Sequence, residues 1–181
     1  MTAFSDIVKY SQNKTRVLLF TSRPAIAKLV IQILEFSGKD FDFFLNNGEK
    51  GTWGHDFVLL ETAEINDAAD FQPTIVLISD DINSDKIIPV LKNITPGGVL
   101  VYPENIENMV EEAENYFRKL PFSTSEFQQS NDTFSINTEI GTLPLTSNDE
   151  DLIRNIGGVK LLCQQFGVME EDFYEPVMNF K

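Results

Sequence analysis

Short runs of consecutive apolar residues, separated by stretches with helical spacing, constrain this chain more than any other feature. Arg16-Val17-Leu18-Leu19-Phe20, Asp56-Phe57-Val58-Leu59-Leu60-Glu61, Thr74-Ile75-Val76-Leu77-Ile78-Ser79-Asp80 and Gly98-Val99-Leu100-Val101-Tyr102 are apolar at successive positions. A strand wetted on one face alternates apolar and polar residues; a strand apolar at every position is covered on both faces. Asp42-Phe43-Phe44-Leu45 reads as a further short strand. Between these runs the spacing turns helical. Ile26, Leu29, Val30, Ile33 and Leu34 share one helix face behind Pro24, and Gly38 is a stop signal. The pattern predicts a helix over 85–94 with a late start or kink at Pro89. A second is predicted from Ile106, Met109, Val110, Ala113 and Phe117.

After Leu120 the pattern weakens. Residues 122–128, 133–138 and 141–146 carry Ser, Thr and Asn between apolar positions and predict short antiparallel strands at the sheet edge. Leu152, Ile156, Val159, Cys163 and Phe166 line a helix closed by Gly167, and Phe173, Tyr174, Val177 and Met178 line another. The expected architecture is a three-layer α/β/α fold with a mainly parallel central sheet and a small antiparallel edge addition. One domain over 1–181 is expected: a lead-in helix in 1–15, a parallel core in 16–120, antiparallel strands in 121–146 and closing helices in 147–181.

Charge narrows the function. The chain of 181 residues carries 28 acids and 14 bases, a net charge of −14. Residues 1–100 hold 13 acids against 9 bases, and residues 101–181 hold 15 against 5. Such a field repels nucleic-acid backbones and anionic membrane surfaces, so neither is an expected partner. The lone Cys163 leaves no intrachain disulfide. The first residues lack a basic region followed by an apolar run, and no stretch approaches a membrane span. A cytoplasmic protein is expected.

In a parallel α/β sheet, ligands sit at the carboxyl ends of the strands. That directs attention to Thr21–Pro24, Glu61–Glu64, Asp80–Asn83 and Tyr102–Glu104. The single His55 has no partner at a catalytic or zinc spacing and is expected to be exposed at a strand start. Cys163 lies on an apolar helix face and reads as a small buried hydrophobe. Trp53, in the loop Asn47–Gly54, reads as packing against the sheet edge. The acidic runs 111–114 and 170–172 read as a solvated helix face and a helix N-terminus.

The order of these pieces resembles the central, ATP-binding domain of the Mur ligases, which build the peptide stem of peptidoglycan. The resemblance spans Phe4 to Lys181 and is carried by Arg16–Gly38, Asp56–Glu64, Ile94–Val101, Asn155–Lys160 with Gln165–Val168, and Phe180-Lys181. The family joins its first strand to its first helix by a loop T-G-T-x-G-K-T/S. Glycines there let amides approach the phosphates, the lysine neutralises charge and the hydroxyl holds Mg²⁺. Here the segment is Thr21-Ser22-Arg23-Pro24-Ala25-Ile26-Ala27, without glycine or a lysine in register. Pro24 also removes an amide donor. By position the resemblance makes Thr21, Ser22, Arg23 and Asn155 the nucleotide-site residues. It places Glu61 where the family has a Mg²⁺-binding glutamate, and Glu64 at a second family acid. The family's Asp-His-x-Asp segment corresponds to Asp80-Asp81-Ile82-Asn83, where the acids persist and the histidine does not. Glu61, Asp80 and Asp81 are therefore the candidate metal-binding set, an all-oxygen group suited to Mg²⁺ or Ca²⁺. Of the family's adenine-contacting Gly-x-His-Asn-x-x-Asn, only Asn155 remains in 149–155.

The resemblance implies a stand-alone, degenerate member: no catalytic residues, no cofactor, and a binding, scaffold or regulatory role beside a protein partner in peptidoglycan synthesis or recycling. The family's precursor-binding and amino-acid-binding domains fall outside the resembling stretch. The alternative is an ATP- and Mg²⁺-binding component of a peptidoglycan amino-acid ligase acting with other chains, through Arg23, Lys28, Glu61 and Asp80.

Overall fold

A computed structural model describes residues 2–125 and 127–181. Met1, and Glu126 within the strand expected over 122–128, lie outside the described residues. The apolar runs form β1 (Thr15–Phe20), β4 (Phe57–Thr62), β5 (Ile75–Ile78) and β6 (Gly98–Pro103). With β2 (Asp42–Phe44), β3 (Lys50–Gly51) and β7 (Phe117–Phe122) they make a seven-stranded sheet in the order β3-β2-β4-β1-β5-β6-β7. Every neighbouring pair is parallel except β2–β3.

Successive residues of one strand feed two different cores, as side-chain alternation requires. Val17 and Leu19 of β1 join Leu59, Leu77 and Val101 against α2 (Pro24–Phe36), α7 (Ile156–Gln165) and α8 (Glu170–Asn179). Leu18 and Phe20 join Leu60, Val76, Ile78 and Leu100 against α1 (Phe4–Tyr10), α3 (Ile65–Asp70), α4 (Ile87–Lys92) and α5 (Glu107–Glu111). A second, three-stranded antiparallel sheet, β10-β9-β8, comprises β8 (Phe127–Ser130), β9 (Thr133–Thr138) and β10 (Gly141–Pro144). Phe134 and Ile136 anchor it in the α2/α7/α8 core.

The fold class expected from the sequence is the one observed, with local differences. Phe117 does not end a helix: α5 stops at Glu111, and residues 117–122 form a further strand parallel to β6. Phe117 fits helical spacing from Ile106 by coincidence, and as an edge strand β7 lacks the continuous apolar run that marks its neighbours. Pro121 is tolerated at such an edge. The helix expected over 85–94 begins late, with a 3-10 turn at Ser84–Lys86 before α4. Pro89 then falls in the first turn, where its missing N–H leaves no bond unmade. The helix expected from Leu152 to Phe166 is two: α6 (Glu150–Arg154) and α7, broken at Asn155.

Candidate functional site

β1 and β5 are neighbours, with Phe20 opposite Ile78, so the segments leaving their carboxyl ends lie side by side. Thr21–Arg23 therefore meets Ser79–Asp81. The centre of the contact is the Asp81 carboxylate. Its Oδ2 accepts from the Ser22 amide (3.0 Å) and the Ser22 hydroxyl (2.5 Å). Its Oδ1 accepts from the Thr21 hydroxyl (3.2 Å) and from the Ser79 hydroxyl. Burial alone would raise the Asp81 carboxyl, but the donors of Ser22, Ser79 and Thr21 outweigh it and hold the group below the ordinary carboxylate range. The hydroxyl and amide donors of the β1–α2 turn thus converge on an anion supplied by the chain itself.

Arg23 does not face the turn. Its amide donates to Thr21 Oγ1 (3.0 Å), and its guanidinium pairs with Asp151 at 2.9 Å. Pro24 occupies the first position of α2. Asp80, beside Asp81, turns toward the closing helices. Arg154 Nε donates to its Oδ2 (2.7 Å) and Asn155 Nδ2 to its Oδ1 (2.6 Å), while the Asp80 amide donates to Asn155 Oδ1 (2.9 Å). Asn155 is wholly buried, and Nδ2 also donates to the Asp151 carbonyl (2.8 Å). Hydrogen bonding and charge from Asp80 raise the Arg154 pKa. Asn155 here fastens the α6–α7 break to the end of β5.

Glu61 stands apart from both aspartates. Only 4% exposed, it accepts the Asn46 amide at 3.0 Å, one strand further along the sheet. Burial pushes its carboxyl up; the Asn46 amide and the Lys28 charge oppose this, and Glu49 adds to it. Glu64 sits at the N-cap position of α3 without a side-chain cap bond. The structure brings Thr21, Ser22 and Asp81 together, and Asn155 and Asp80 together, but does not gather Glu61, Asp80 and Asp81. Among the described residues no group of three or more His, Cys, Asp or Glu side chains is placed to hold a metal ion. The physical reason is that each of the three acids is drawn to a different set of donors. Above the turn lies an open depression of about 730 Å³ whose walls include five carboxylates, among them Asp149, Glu150 and Asp151, against the two guanidiniums of Arg23 and Arg154.

Ser79 and Arg154 were not singled out from the sequence. Ser79 follows the end of β5 and enters a turn closed by the Ile82 amide on the Ser79 carbonyl (3.3 Å), which brings its hydroxyl onto Asp81; residue spacing alone does not announce that turn. Nor does it announce Arg154, whose partner is distant in sequence.

The remaining candidates are structural. His55 is half-buried, not exposed as expected: Nδ1 lies 3.1 Å from the Phe41 carbonyl and 3.3 Å from Asp42. Asp42, fully buried, also accepts from Tyr10 Oη (2.7 Å) and the Trp53 amide (2.8 Å), which ties α1 to the β2–β4 loop. Trp53 packs on the sheet edge while staying 64% exposed; a Cβ on Gly51 would run into its ring. Cys163 is buried, and burial pushes its thiol up.

No protein-family model matches this chain, and no curated protein matches it by sequence. Solved structures do. MurF from Acinetobacter baumannii superposes with a TM-score of 0.70 at 14% identity, over 98% of this chain and 48% of that one. The UDP-N-acetylmuramate:L-alanyl-gamma-D-glutamyl-meso-diaminopimelate ligase (MPL) of Neisseria meningitides gives 0.68 at 13%, over 97% and 70%. E. coli FolC, in complex with DHPP and ADP, gives 0.59 at 9%, over 98% and 60%. The chain spans about half the length of that MurF. It has the fold that Mur ligases and FolC share.

Proposed function

We propose that this chain is a Mur-ligase-like domain that has exchanged nucleotide binding for a binding, scaffold or regulatory role toward a protein partner. The observation that carries the reading is the Asp81 carboxylate, which takes the Ser22 amide and the hydroxyls of Thr21, Ser22 and Ser79. A triphosphate entering this turn would have to displace a bonded carboxylate in a depression rich in other carboxylates. It would meet neither a glycine-built amide cradle nor a lysine. Likeness in fold to MurF and MPL supports a link to the handling of peptidoglycan precursors, and the same likeness extends to FolC. A cytoplasmic setting fits this reading; among the described residues no helix is long and apolar enough to cross a membrane.

Calorimetric titration with ATP and ADP, with and without Mg²⁺, tests it. The expected result is no saturable heat up to millimolar nucleotide. Micromolar, Mg²⁺-dependent affinity that Glu61→Ala abolishes would overturn the proposal in favour of an ATP-binding ligase component.

A further inference from the structure

A cavity of about 550 Å³ lies between the small antiparallel sheet and the closing helices, away from the Asp81 turn. Its buried walls are Ile136 of β9, Ile153 of α6, Ile156 of α7 and Phe173 of α8. Its polar walls are Ser123, Asn137, Thr138 and Glu139, and facing it is a triad centred on Lys160. Lys160 Nζ donates to Glu170 Oε1 (2.6 Å) and to Tyr174 Oη (2.9 Å), and Tyr174 Oη donates to Glu170 Oε1 (3.0 Å). Lys160 and Tyr174 line the cavity. An ammonium has three N–H donors, so one remains for a guest. Burial alone would lower the Lys160 pKa, but the bonds to Glu170 and Tyr174 outweigh it, and the cation stays charged.

We propose that this cavity binds a small uncharged molecule with an apolar body and one carbonyl-type acceptor, the acceptor meeting Lys160. The size fits sites for small molecules, which run from about 300 to 1,000 Å³. Charge selects the class. Among the described lining residues Lys160 is the one cation and Glu170 already neutralises it, while Glu139 lines the same cavity. An anion would face two carboxylates across a shared cation; a cation would approach an ammonium and leave its free N–H unanswered.

The glycine pair of α7 argues that the space is kept rather than left over. Gly158 has a packing reason: a Cβ there would lie 2.6 Å from Phe122 Cε1 and 2.9 Å from Leu77 Cδ1. Gly157 has none. A Cβ there would meet Phe122 and Ser123 at 3.6 Å, an ordinary contact, and its backbone is not left-handed. Glycine weakens a helix relative to alanine. What the absent side chain does is leave the cavity open, since Gly157 is one of its walls.

The test is a ¹H–¹⁵N titration of the full chain with benzamide, benzoate and benzylamine, which share a ring and differ in charge. Benzamide is expected to shift the Gly157 and Lys160 amides saturably, with a Kd on the order of 1 mM for so small a probe. Benzoate and benzylamine are expected to bind at least about 10-fold more weakly. Gly157→Phe, which fills the space, is expected to abolish the shifts, and Lys160→Met to weaken benzamide about 5-fold. If Gly157→Phe does not fold, Gly157→Leu is read the same way. No saturable shift up to ~20 mM benzamide, equal or tighter binding of either charged probe, or unchanged binding in the folded filled variant would each overturn the proposal.

Discussion

Replacing Asp81 separates an internal anion from an empty phosphate cradle. Asp81→Asn keeps the shape and one acceptor oxygen, but its NH₂ then faces the donors that now point at Oδ1 or Oδ2. Hydroxyls can rotate away; Ser79 has a second acceptor in the Phe20 carbonyl at 3.2 Å. The Ser22 amide has no such freedom. Hydrogen bonds to a charged group contribute about 1.5–3 kcal/mol, and the open side of the turn reduces that, so a loss of about 1–2 kcal/mol is expected. With a urea slope near 2 kcal/mol/M, the midpoint falls by about 0.5–1 M at pH 7. The folded pKa of Asp81 is depressed, so its contribution is present above the unfolded value of about 3.9 and fades as pH falls through the folded value. The gap between wild type and Asp81→Asn should therefore close in acid. Asp81→Ala goes further and leaves the turn's donors facing water. Inorganic phosphate at ten times its Kd should stabilise that variant by about 1.4 kcal/mol more than wild type, the comparison cancelling the general salting effect. An Asp81→Asn protein as stable as wild type at pH 7, with identical phosphate responses of wild type and Asp81→Ala, refutes the reasoning.

Asp42→Ala should cost about 2–4 kcal/mol, because Tyr10 Oη and the Trp53 amide lose a fully buried charged acceptor; chemical denaturation reads the loss and hydrogen exchange should locate it in α1. Burial raises the Asp42 carboxyl but Tyr10, Trp53 and the nearby cations lower it further, so this stabilisation is also lost toward acid pH. Gly158→Ala should destabilise by about 1–3 kcal/mol through overpacking on Phe122, read as a lowered Tm. Glu61 carries the opposite sign: its folded pKa is raised, so its ionised form weighs against folding above the unfolded pKa. Glu61→Gln, which keeps an acceptor for the Asn46 amide, should leave the fold equally or more stable at pH 7, the difference vanishing below about pH 4.

The parallel sheet was legible because its strands state their burial in their own composition: Val17 to Phe20 has no polar residue on either face, and only two covering layers accommodate that. β7 was not, because an edge strand with Arg118, Lys119 and Pro121 lacks that mark and Phe117 continues a helical spacing. The residues of the turn were readable, since Thr21, Ser22 and Asp81 all sit at strand ends. Their mutual arrangement was not. It depends on β1 and β5 being neighbours, with Val17 opposite Ile75, although 60 positions separate Thr21 from Asp81. Linear spacing carries no information on which strand ends adjoin. Glu61 and the Asp80–Asp81 pair likewise leave strands that β1 separates, a placement that linear spacing does not show.

If the turn binds no phosphate, as proposed, the strand order accounts for how it persists. Two parallel strands leaving the sheet side by side carry unpaired amides and hydroxyls at their ends, and these need an acceptor. Where a nucleotide supplies it, glycines keep the backbone open and the loop bulges around the guest. In this chain the acceptor comes from the neighbouring strand, so a short turn suffices and Pro24 can begin α2 at once. The proline and the aspartate are then two parts of one solution. It follows that inserting glycines at 22–24 while keeping Asp81 should loosen the turn without creating phosphate affinity, because the cradle would still hold its own carboxylate; thermal shifts with and without phosphate read both effects, and phosphate stabilisation of that glycine variant at intact Asp81 would show that loop stiffness, not the internal anion, governs the turn.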